Sequence, residues 1–321
     1  MRTIALEEHF TPPQFQTSGL KLPGGGLGAY LAAVNQKLAD VGPSRLADMD
    51  AAGIDLQVLS VPGFGLERLA PTAGIALARD CNDALGDVVQ ARPDRFAGFA
   101  ILPLQDPDAA AAELERSVTR LGLKGAMVSG TINGRFLDDP SFSPVLAEAE
   151  RLGVPIYLHP APPPQAVFEA YFGGLPEGTA GALATGGWGW HAETGLHSLR
   201  LIVAGVFDRY PALQIIIGHL GENIPFSLAR ADERLTPAAP HLQRRVADYF
   251  QANFQITTSG YFTLPPLLCS LLVVGADRIM FAVDYPYSPN ADGRAFLDRL
   301  PLNQADREKI AHGNAERLLR L

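Results

Sequence analysis

Four short apolar stretches of the chain each end in residues that could bind a metal ion. ALEEH ends in Glu7 and His9, PIYLH ends in His159, and QIIIGHLGE and IMFAVDYPY carry His219 and Asp284. Imidazole nitrogen favours zinc and its neighbours, whereas carboxylate oxygen favours manganese or magnesium. Several carboxylates buried at one place would be costly without a cation. The pattern therefore predicts a site for one divalent metal and leaves the ion open among zinc, manganese and magnesium.

Spacing separates the polar residues of the first stretch into two groups. Residues two apart on a strand share a face, so Glu7 and His9 should point together and Glu8 should point to the other side. A lone Glu-x-His arises often by chance, and a lone histidine at a strand end is usually structural. The prediction depends on the four strand ends together, because in a barrel such ends meet at one mouth.

A second pair of polar residues follows the sixth strand. Glu222 lies three residues after His219 with a glycine between them, so its carboxylate could contact the imidazole. Such a contact raises the basicity of the histidine and fixes its tautomer, as acid–base catalysis requires. The alternative is that Glu222 only caps a helix that starts near Pro225. We favour the catalytic pair.

Eight apolar runs alternate with amphipathic segments along the chain. The predicted strands cover 3–9, 56–61, 96–102, 125–129, 155–159, 214–219, 254–259 and 279–284. The predicted helices cover 44–52, 71–91, 108–120, 141–152, 194–210, 225–235, 264–275, 291–300 and 304–319. This alternation predicts an α/β fold, a (β/α)8 TIM barrel formed by a single domain over residues 1–321. The alternative is an open doubly wound sheet, although no GxGxxG follows a strand.

Two connections are too long to be simple turns. They cover residues 10–41, with PGGGLG, and residues 160–193, with APPPQ and GGWGWH, and they follow strands 1 and 5. Long loops in compact domains are usually functional. Phe172, Trp188 and Trp190 in the second connection could stack on an aromatic ligand or form a subunit interface.

Composition and charge exclude several classes of protein. The chain has 321 residues, of which 47% are hydrophobic and 19% charged, so it can bury a large core and is not disordered. The net charge of −8 argues against nucleic-acid binding. Two cysteines, Cys81 and Cys269, make no disulfide framework, so we expect a cytoplasmic protein. We find no signal-peptide pattern and no apolar run long enough to span a membrane.

Several stretches of the chain are similar to a known family. ALEEHF, LHP, HSLRLIVAGVFDRYPALQIIIGHLGE and FAVDYPY resemble the amidohydrolase superfamily. More narrowly, they resemble its metal-dependent nonoxidative aromatic decarboxylases, which include γ-resorcylate, 2,3-dihydroxybenzoate and 5-carboxyvanillate decarboxylases. These enzymes are related to aminocarboxymuconate semialdehyde decarboxylase. The resemblance runs from residue 3 to about residue 318 and is most specific over residues 197–222.

The resemblance implies that one metal ion is held by Glu7, His9, His159 and Asp284. Most hydrolytic members of the superfamily open with His-x-His, and many add a bridging lysine at the end of the fourth strand. Here a glutamate replaces the first histidine, and Lys124 lies before the fourth strand. Both departures point to a single metal and to the decarboxylase branch.

The resemblance also implies roles for residues outside the ligand set. His219 and Glu222 match the catalytic pair of the family. Arg230 falls where resorcylate-type enzymes place an arginine that contacts the substrate, although a plain surface arginine is nearly as good an interpretation. Phe10 and Tyr287 are candidates to stack on an aromatic ring, and Tyr287 is favoured because it lies on the loop after the eighth strand.

The implied reaction is nonoxidative decarboxylation of an ortho-hydroxylated aromatic carboxylic acid. Asp284 is the expected proton donor to the ring carbon, which requires a neutral carboxyl group. His219, supported by Glu222, is expected to orient a ring hydroxyl or accept its proton. No organic cofactor is implied. The expected partners are a small aromatic acid and further copies of the chain in a homodimer or homotetramer, with no nucleic acid and no membrane.

Other functions remain open at this point. A metal-dependent hydrolase of a lactone or amide would use the same ligands to activate water, although Glu7 and the FAVDYPY ending disfavour it. A lyase or hydratase of an aromatic ring-cleavage product also fits the resemblance. A barrel that only binds a partner is disfavoured by the intact ligand set. The ring substituents of the substrate, the physiological direction and the role of His197 stay open; for His197 a structural hydrogen bond is the default.

Overall fold

The computed structural model describes residues 1–20 and 28–321. Its centre is a parallel sheet of eight strands, in which each strand pairs with the next along the chain. A bridge between Leu6 and Ala282 joins the last strand to the first and closes the barrel. The predicted TIM barrel is thereby confirmed. The strands are β1 Ile4–His9, β2 Leu56–Ser60, β3 Phe96–Ile101, β4 Ala126–Ser129, β5 Ile156–His159, β6 Ile215–Ile217, β7 Phe254–Thr257 and β8 Ile279–Met280.

Helices cover the outside of the barrel and connect its parallel strands. The α-helices are α1 Pro13–Thr17, α2 Gly28–Ala39, α3 Pro43–Ala52, α4 Pro71–Ala91, α5 Pro107–Leu121, α6 Ser143–Leu152, α7 Gln165–Phe172, α8 Glu177–Ala184, α9 Gly189–Val203, α10 Val206–Arg209, α11 Ile224–Ala238, α12 Val246–Asn253, α13 Leu264–Val274, α14 Asn290–Asp298, α15 Gln304–Glu308 and α16 Asn314–Leu319. Short 3-10 helices cover Leu66–Arg68, Pro140–Phe142 and Ala276–Arg278, and a π-helix covers Lys309–Gly313.

Three strands end two or more residues earlier than the apolar runs predict. The runs 214–219, 254–259 and 279–284 were expected to be strands throughout, but β6 ends at Ile217, β7 at Thr257 and β8 at Met280. His219 has a φ of 51° and Asp284 a φ of 68°, and these left-handed values lie outside the range of a regular strand. The polar residues therefore lie on turns just beyond the strands.

The helices differ from the prediction at four places. The segment 194–210 forms two helices because Gly205, with a φ of 68°, ends the first one. The π-helix interrupts the predicted helix 304–319, and α12 was not predicted. The long connections after β1 and β5 are not plain loops, since they contain α1 and α2, and α7 and α8. The proline-rich starts of both connections predicted loops, but proline is also favourable in the first turn of a helix.

Apolar side chains fill the barrel and close one of its ends. Alternate residues of seven strands, such as Ile4, Phe99 and Ile216, form one fully buried cluster. Ala315 and Leu319 of α16 join this cluster at the end where the strands begin. A larger cluster fills the space between the strands and the helices. The end where the strands stop is therefore the one left for polar chemistry.

Two predictions remain untested, one on the first long connection and one on the domain division. The PGGGLG segment of the connection 10–41 lies mostly outside the described residues. The assignment of all residues to a single domain, 1–321, stays a prediction. Within residues 1–20 and 28–321, no helix is both long enough and apolar enough to cross a membrane.

Candidate active site

The four residues predicted as metal ligands meet at the mouth of the barrel. One side-chain nitrogen or oxygen atom from each of Glu7, His9, His159 and Asp284 lies within 4.8 Å of those of the others. His9 Nε2 is 3.2 Å from Asp284 Oδ1, and His159 Nε2 is 3.4 Å from Glu7 Oε1. β1, β5 and the turn after β8 supply these side chains. Residues up to 277 positions apart thus form one cluster of two imidazoles and two carboxylates.

The donor atoms of this cluster fit a divalent cation. Glu7 Oε1 and His9 Nε2 are buried and have no hydrogen-bond partner, which is costly unless something else binds them. His159 Nδ1 donates to the carbonyl oxygen of Pro160 at 2.7 Å, which leaves Nε2 with a free lone pair. Burial lowers the pKa of His9 and of His159 to about 4, so both rings are neutral at pH 7, as metal binding requires.

Three hydroxyl groups hold the other oxygen of Glu7. Tyr157 and Ser259 donate hydrogen bonds to Glu7 Oε2, and Thr257 Oγ1 lies 3.4 Å from it. Gly218 makes room for the carboxylate, because a Cβ atom there would lie 2.8 Å from Oε2. Oε2 is therefore fully engaged by the protein, and Oε1 is the atom left for a cation.

The substitution Gly218→Ala is expected to weaken metal binding by about 10- to 100-fold, as changes behind a ligand typically do. The added methyl group would displace Glu7 from its hydroxyl partners. Metal content after dialysis against a chelator measures the effect. Gly181→Ala on α8 is the control, since a Cβ there meets nothing within 4 Å. Equal metal retention by both variants would contradict this role of Gly218.

The buried carboxylate of Glu222 lies between two histidines. Its Oε1 is 2.7 Å from His219 Nδ1, and its Oε2 is 2.7 Å from His191 Nδ1. Burial alone would raise the pKa of Glu222, but the charge of His219 and the hydrogen bond from His191 lower it to about 2. Burial likewise opposes charge on His219, yet Glu222 and Glu7 raise its pKa to about 10. At neutral pH this arrangement pairs a carboxylate with an imidazolium.

A strained turn carries this pair. All five residues from 219 to 223 have positive φ, a conformation that costs each non-glycine residue about 1–2 kcal/mol. The turn is held by Leu220, whose N–H donates to the carbonyl oxygen of Thr257 at 2.7 Å. It places His219 and Glu222 on the same side, and α11 begins after it with no side-chain cap. Strain of this kind is typical of functional sites.

The carboxylate of Glu8 fixes the backbone on both sides of Asp284. It accepts the N–H of Val283 at 2.8 Å and the N–H of Tyr285 at 3.2 Å. Glu8 is fully buried and faces away from Glu7, in agreement with the alternation of side chains along β1. These two hydrogen bonds hold Asp284 in its left-handed conformation across the seam between β1 and β8.

The affinity for the metal is expected to fall as the pH drops below about 7. Burial raises the pKa of Asp284 to about 7, with a further contribution from Glu222 that His219 opposes. Below that pH the carboxyl group is increasingly protonated and binds the cation more weakly, so Kd should rise as the pH falls and level off near the Kd of Asp284→Asn. Above that pH the Kd should be level.

Competition with a fluorescent chelator measures this pH dependence. Asp284→Asn should remove it between about pH 7 and pH 5, because the other titrating ligands, His9 and His159, have pKa values of about 4. The same slope in wild type and in Asp284→Asn would show that another group carries the proton.

The three predicted substrate contacts lie in different surroundings. The ring of Tyr287 lies 5.7 Å from the ring of His9, at the mouth. Phe10 is buried in the cluster between strands and helices. Arg230 on α11 is largely exposed, and its Nη1 lies 3.1 Å from Glu233 Oε2. Contact of these residues with a substrate stays a prediction, and the geometry supports Tyr287 best.

The aromatic residues of the second long connection differ in their exposure to solvent. Phe172 is buried against Phe168 and Ala184, whereas Trp188 is 55% exposed. Trp190 lies at the start of α9, and its buried Nε1 has no hydrogen-bond partner. Phe172 is thus part of a small core between α7 and α8, and Trp188 is the residue free to contact a ligand or another subunit.

His197 supports a loop at the mouth. Its Nε2 accepts the N–H of Leu137 at 2.8 Å, and its ring lies 4.9 Å from that of Phe136. Burial lowers the pKa of His197 to about 3, so the ring is neutral and can accept. This contact is the structural hydrogen bond that we expected for His197.

Sequence reasoning missed several residues at the mouth. The ring of Phe64 lies 5.9 Å from that of His159, and the ring of Tyr261 lies 5.6 Å from that of His219. His191, which contacts Glu222, is the most consequential omission. The available signal was weak: His191 follows two tryptophans in a glycine-rich stretch, and its partner lies 31 positions away.

A closed parallel barrel with Glu, His, His and Asp at its strand ends defines a metal-binding barrel of the amidohydrolase type. The model of the family described as amidohydrolase matches residues 29–321, and the chain belongs to this family. The membership predicted from the motifs is confirmed.

Comparison with known proteins narrows the relationship. The chain is 40% identical to γ-resorcylate decarboxylase from Rhodococcus jostii over 334 residues, which cover 99% of this chain and 98% of the relative. It matches the crystal structure of 2,6-dihydroxybenzoate decarboxylase complexed with 2,6-dihydroxybenzoate with a TM-score of 0.90 and 38% identity, over 100% of this chain and 99% of the other. It matches a dihydroxybenzoic acid decarboxylase from Polaromonas sp., with bound manganese and 2-nitroresorcinol, with a TM-score of 0.90 and 36% identity, over 100% and 97%.

Proposed function

We propose that this chain is a carboxy-lyase that decarboxylates an ortho-hydroxylated aromatic acid of the 2,6-dihydroxybenzoate type without oxidation. One observation carries the proposal: the cluster of Glu7, His9, His159 and Asp284 shares its mouth with the buried His219–Glu222 pair. Asp284 Oδ2 and His219 Cδ2 both lie within 4.0 Å of the position that a Cβ on Gly260 would take. The similarity to named decarboxylases over the whole chain gives this site its substrate class.

Asp284 is the proposed proton donor. Its raised pKa lets the carboxyl group hold a proton near neutral pH. The proton would go to the ring carbon that carries the carboxylate, and that carbon would become tetrahedral. The bond to the carboxylate would then break, CO2 would leave, and its electron pair would return to the ring and restore aromaticity. Asp284 would end ionised and regain its proton from water.

His219 is the proposed group that binds the ring hydroxyl. Its Nδ1–H donates to Glu222, so its Nε2 side is available to the substrate. Tyr287 beside His9 is the proposed contact for the ring face. When bound by the four ligands, a divalent metal would supply Lewis-acid polarisation of the substrate oxygens. Support for manganese comes from the related structure that contains it, with zinc and magnesium as the alternatives.

A substrate panel tests the proposed function. Protein reconstituted with manganese would be incubated with 2,6-dihydroxybenzoate, 2,3-dihydroxybenzoate, salicylate and a simple lactone, and products would be separated by liquid chromatography. We expect the decarboxylated phenol from at least one dihydroxybenzoate and no lactone hydrolysis. Lactone hydrolysis without any phenol product would favour the hydrolase alternative, in which the same ligands activate water.

We further propose that the chain forms a homodimer or homotetramer. Leu264, Leu268 and Leu272 make an exposed stripe along α13, and Phe226 on neighbouring α11 is 88% exposed. Exposed apolar patches of this kind often mark subunit interfaces. Light scattering after size-exclusion chromatography should give a mass of two or four chains, and Leu272→Glu should lower it. A monomer for the unmodified chain would contradict this assembly.

A cytoplasmic location is also part of the proposal. Cys81 is buried and Cys269 is partly exposed, and both are free thiols. Free thiols are typical of reducing compartments. Fractionation of cells that express the chain, with antibody detection, tests the location, and recovery outside the cytoplasmic fraction would contradict it.

A further inference from the structure

Both ring nitrogens of His191 face acceptors. Its Nδ1 lies 2.7 Å from Glu222 Oε2, and its Nε2 lies 3.1 Å from the carbonyl oxygen of Gly186. A carbonyl oxygen and a carboxylate oxygen are both acceptors, so each of the two positions favours a ring N–H of His191. His191 is 3% exposed, so water does not compete strongly for either contact.

Gly186 belongs to the short segment 185–188, which joins α8 to α9. The segment is tightly folded: the N–H groups of Trp188 and Trp190 both donate to the carbonyl oxygen of Thr185, at 3.1 and 3.2 Å. Its glycines allow close packing, since a Cβ on Gly189 would lie 2.2 Å from the carbonyl oxygen of Ala184. The segment carries the exposed Trp188 and reaches the catalytic pair through His191.

We propose that His191 is a positioning residue that orients the Glu222 carboxylate toward His219 and ties segment 185–188 to that pair. The inference rests on the proposed function, because it assigns His191 to the same acid–base machinery. A carboxylate held at both oxygens cannot rotate, so its Oε1 stays aimed at His219 Nδ1. Groups that fix a catalytic partner in this way affect turnover more than substrate binding.

A second metal site is the competing interpretation of the same three side chains, since His191, His219 and Glu222 are close enough to hold a cation. The hydrogen bonds decide against it. Each Glu222 oxygen already meets a histidine nitrogen at 2.7 Å, and His191 Nε2 is engaged by Gly186. No side-chain atom of His191, His219 or Glu222 is buried without a hydrogen-bond partner, whereas Glu7 Oε1 and His9 Nε2 are.

Two substitutions separate the two bonds of His191. His191→Asn keeps an amide nitrogen near the Nδ1 position and can still donate to Glu222, but it cannot reach Gly186. His191→Gln keeps a nitrogen near the Nε2 position, so it can still donate to Gly186 but cannot reach Glu222. We expect kcat of His191→Asn within about threefold of wild type, and kcat of His191→Gln and His191→Ala lower by about 10- to 100-fold, with KM little changed.

His197→Gln is the matched control for stability. His197 is also buried on α9 and also forms a hydrogen bond, but to Leu137 rather than to the catalytic pair. If this variant loses Tm but retains kcat, loss of helix stability does not explain the kinetic effect. Equal kcat losses in His191→Asn and His191→Gln, or wild-type kcat in His191→Ala, would overturn the positioning role.

Hydrogen exchange tests the tie to the segment without activity. Amides of residues 185–190 should be protected in wild type and in His191→Gln, and should exchange faster in His191→Asn and His191→Ala. Equal exchange in all four proteins would overturn the tie. A wild-type protein that shows this protection but releases no CO2 would refute only the proposed function.

Discussion

Asp284→Asn is expected to abolish CO2 release while the protein keeps much of its metal. The amide has no proton acidic enough to give to a ring carbon, and loss of a general acid costs about 10²- to 10⁴-fold in rate. The remaining proposed ligands, Glu7, His9 and His159, should stay in place because β1 and β5 hold them, whereas Asp284 lies on the turn after β8. The amide oxygen can still face the cation.

The measurement is kcat together with metal content on the same preparation. A fall in kcat of about 1,000-fold or more at about half or more of the wild-type metal content is the expected result. A substitution at Asn290 is the control, and its kcat and metal content are compared with those of Asp284→Asn. The side chain of Asn290 accepts from Gln57 and donates to Asp48, and it does not face the metal cluster. Turnover near the wild-type rate in Asp284→Asn would remove Asp284 as the proton donor.

His159→Ala is expected to release the metal and, with it, all activity. His159 supplies a neutral nitrogen whose other ring atom is held by Pro160, and nothing else at the end of β5 can replace it. Removal of one of four ligands leaves two carboxylates and a single imidazole to hold the ion. We expect less than about one tenth of the wild-type metal content after dialysis.

His197→Gln is again the matched control, because it removes a buried histidine outside the cluster. It should retain its metal. Full metal content in His159→Ala after the same dialysis would exclude His159 as a ligand, whatever the activity of the variant.

The positions of the proposed metal ligands could be predicted because each lies at the end of an apolar stretch. Buried strands such as IIIG are recognisable from composition, and a parallel barrel brings their ends together. Strand order brings Glu7, His9, His159, His219 and Asp284 to one mouth, and the family resemblance selects the four proposed ligands among them. The spacing of His219 and Glu222 was visible too, although the left-handed turn that joins them was not.

The supporting residues could not be predicted, because their partners are distant in the chain. Glu8 contacts the backbone at positions 283 and 285, and Ser259 contacts Glu7 across 252 positions. In the sequence, Glu8, Tyr157 and Ser259 look like ordinary strand residues. Only the closed barrel brings them to their partners. His191 was missed for the same reason, since the segment around it read as a loop. Hydrogen bonds of this kind depend on tertiary packing, which local periodicity does not encode.

The most direct test of the account is a metal titration of decarboxylation. Metal-free protein would receive zero to two equivalents of manganese, and CO2 release from 2,6-dihydroxybenzoate would be followed at each step. We expect CO2 release to rise linearly, to reach a plateau at one equivalent per chain and to be matched by resorcinol formation. Absence of CO2 at every ratio with manganese, zinc and magnesium would contradict it.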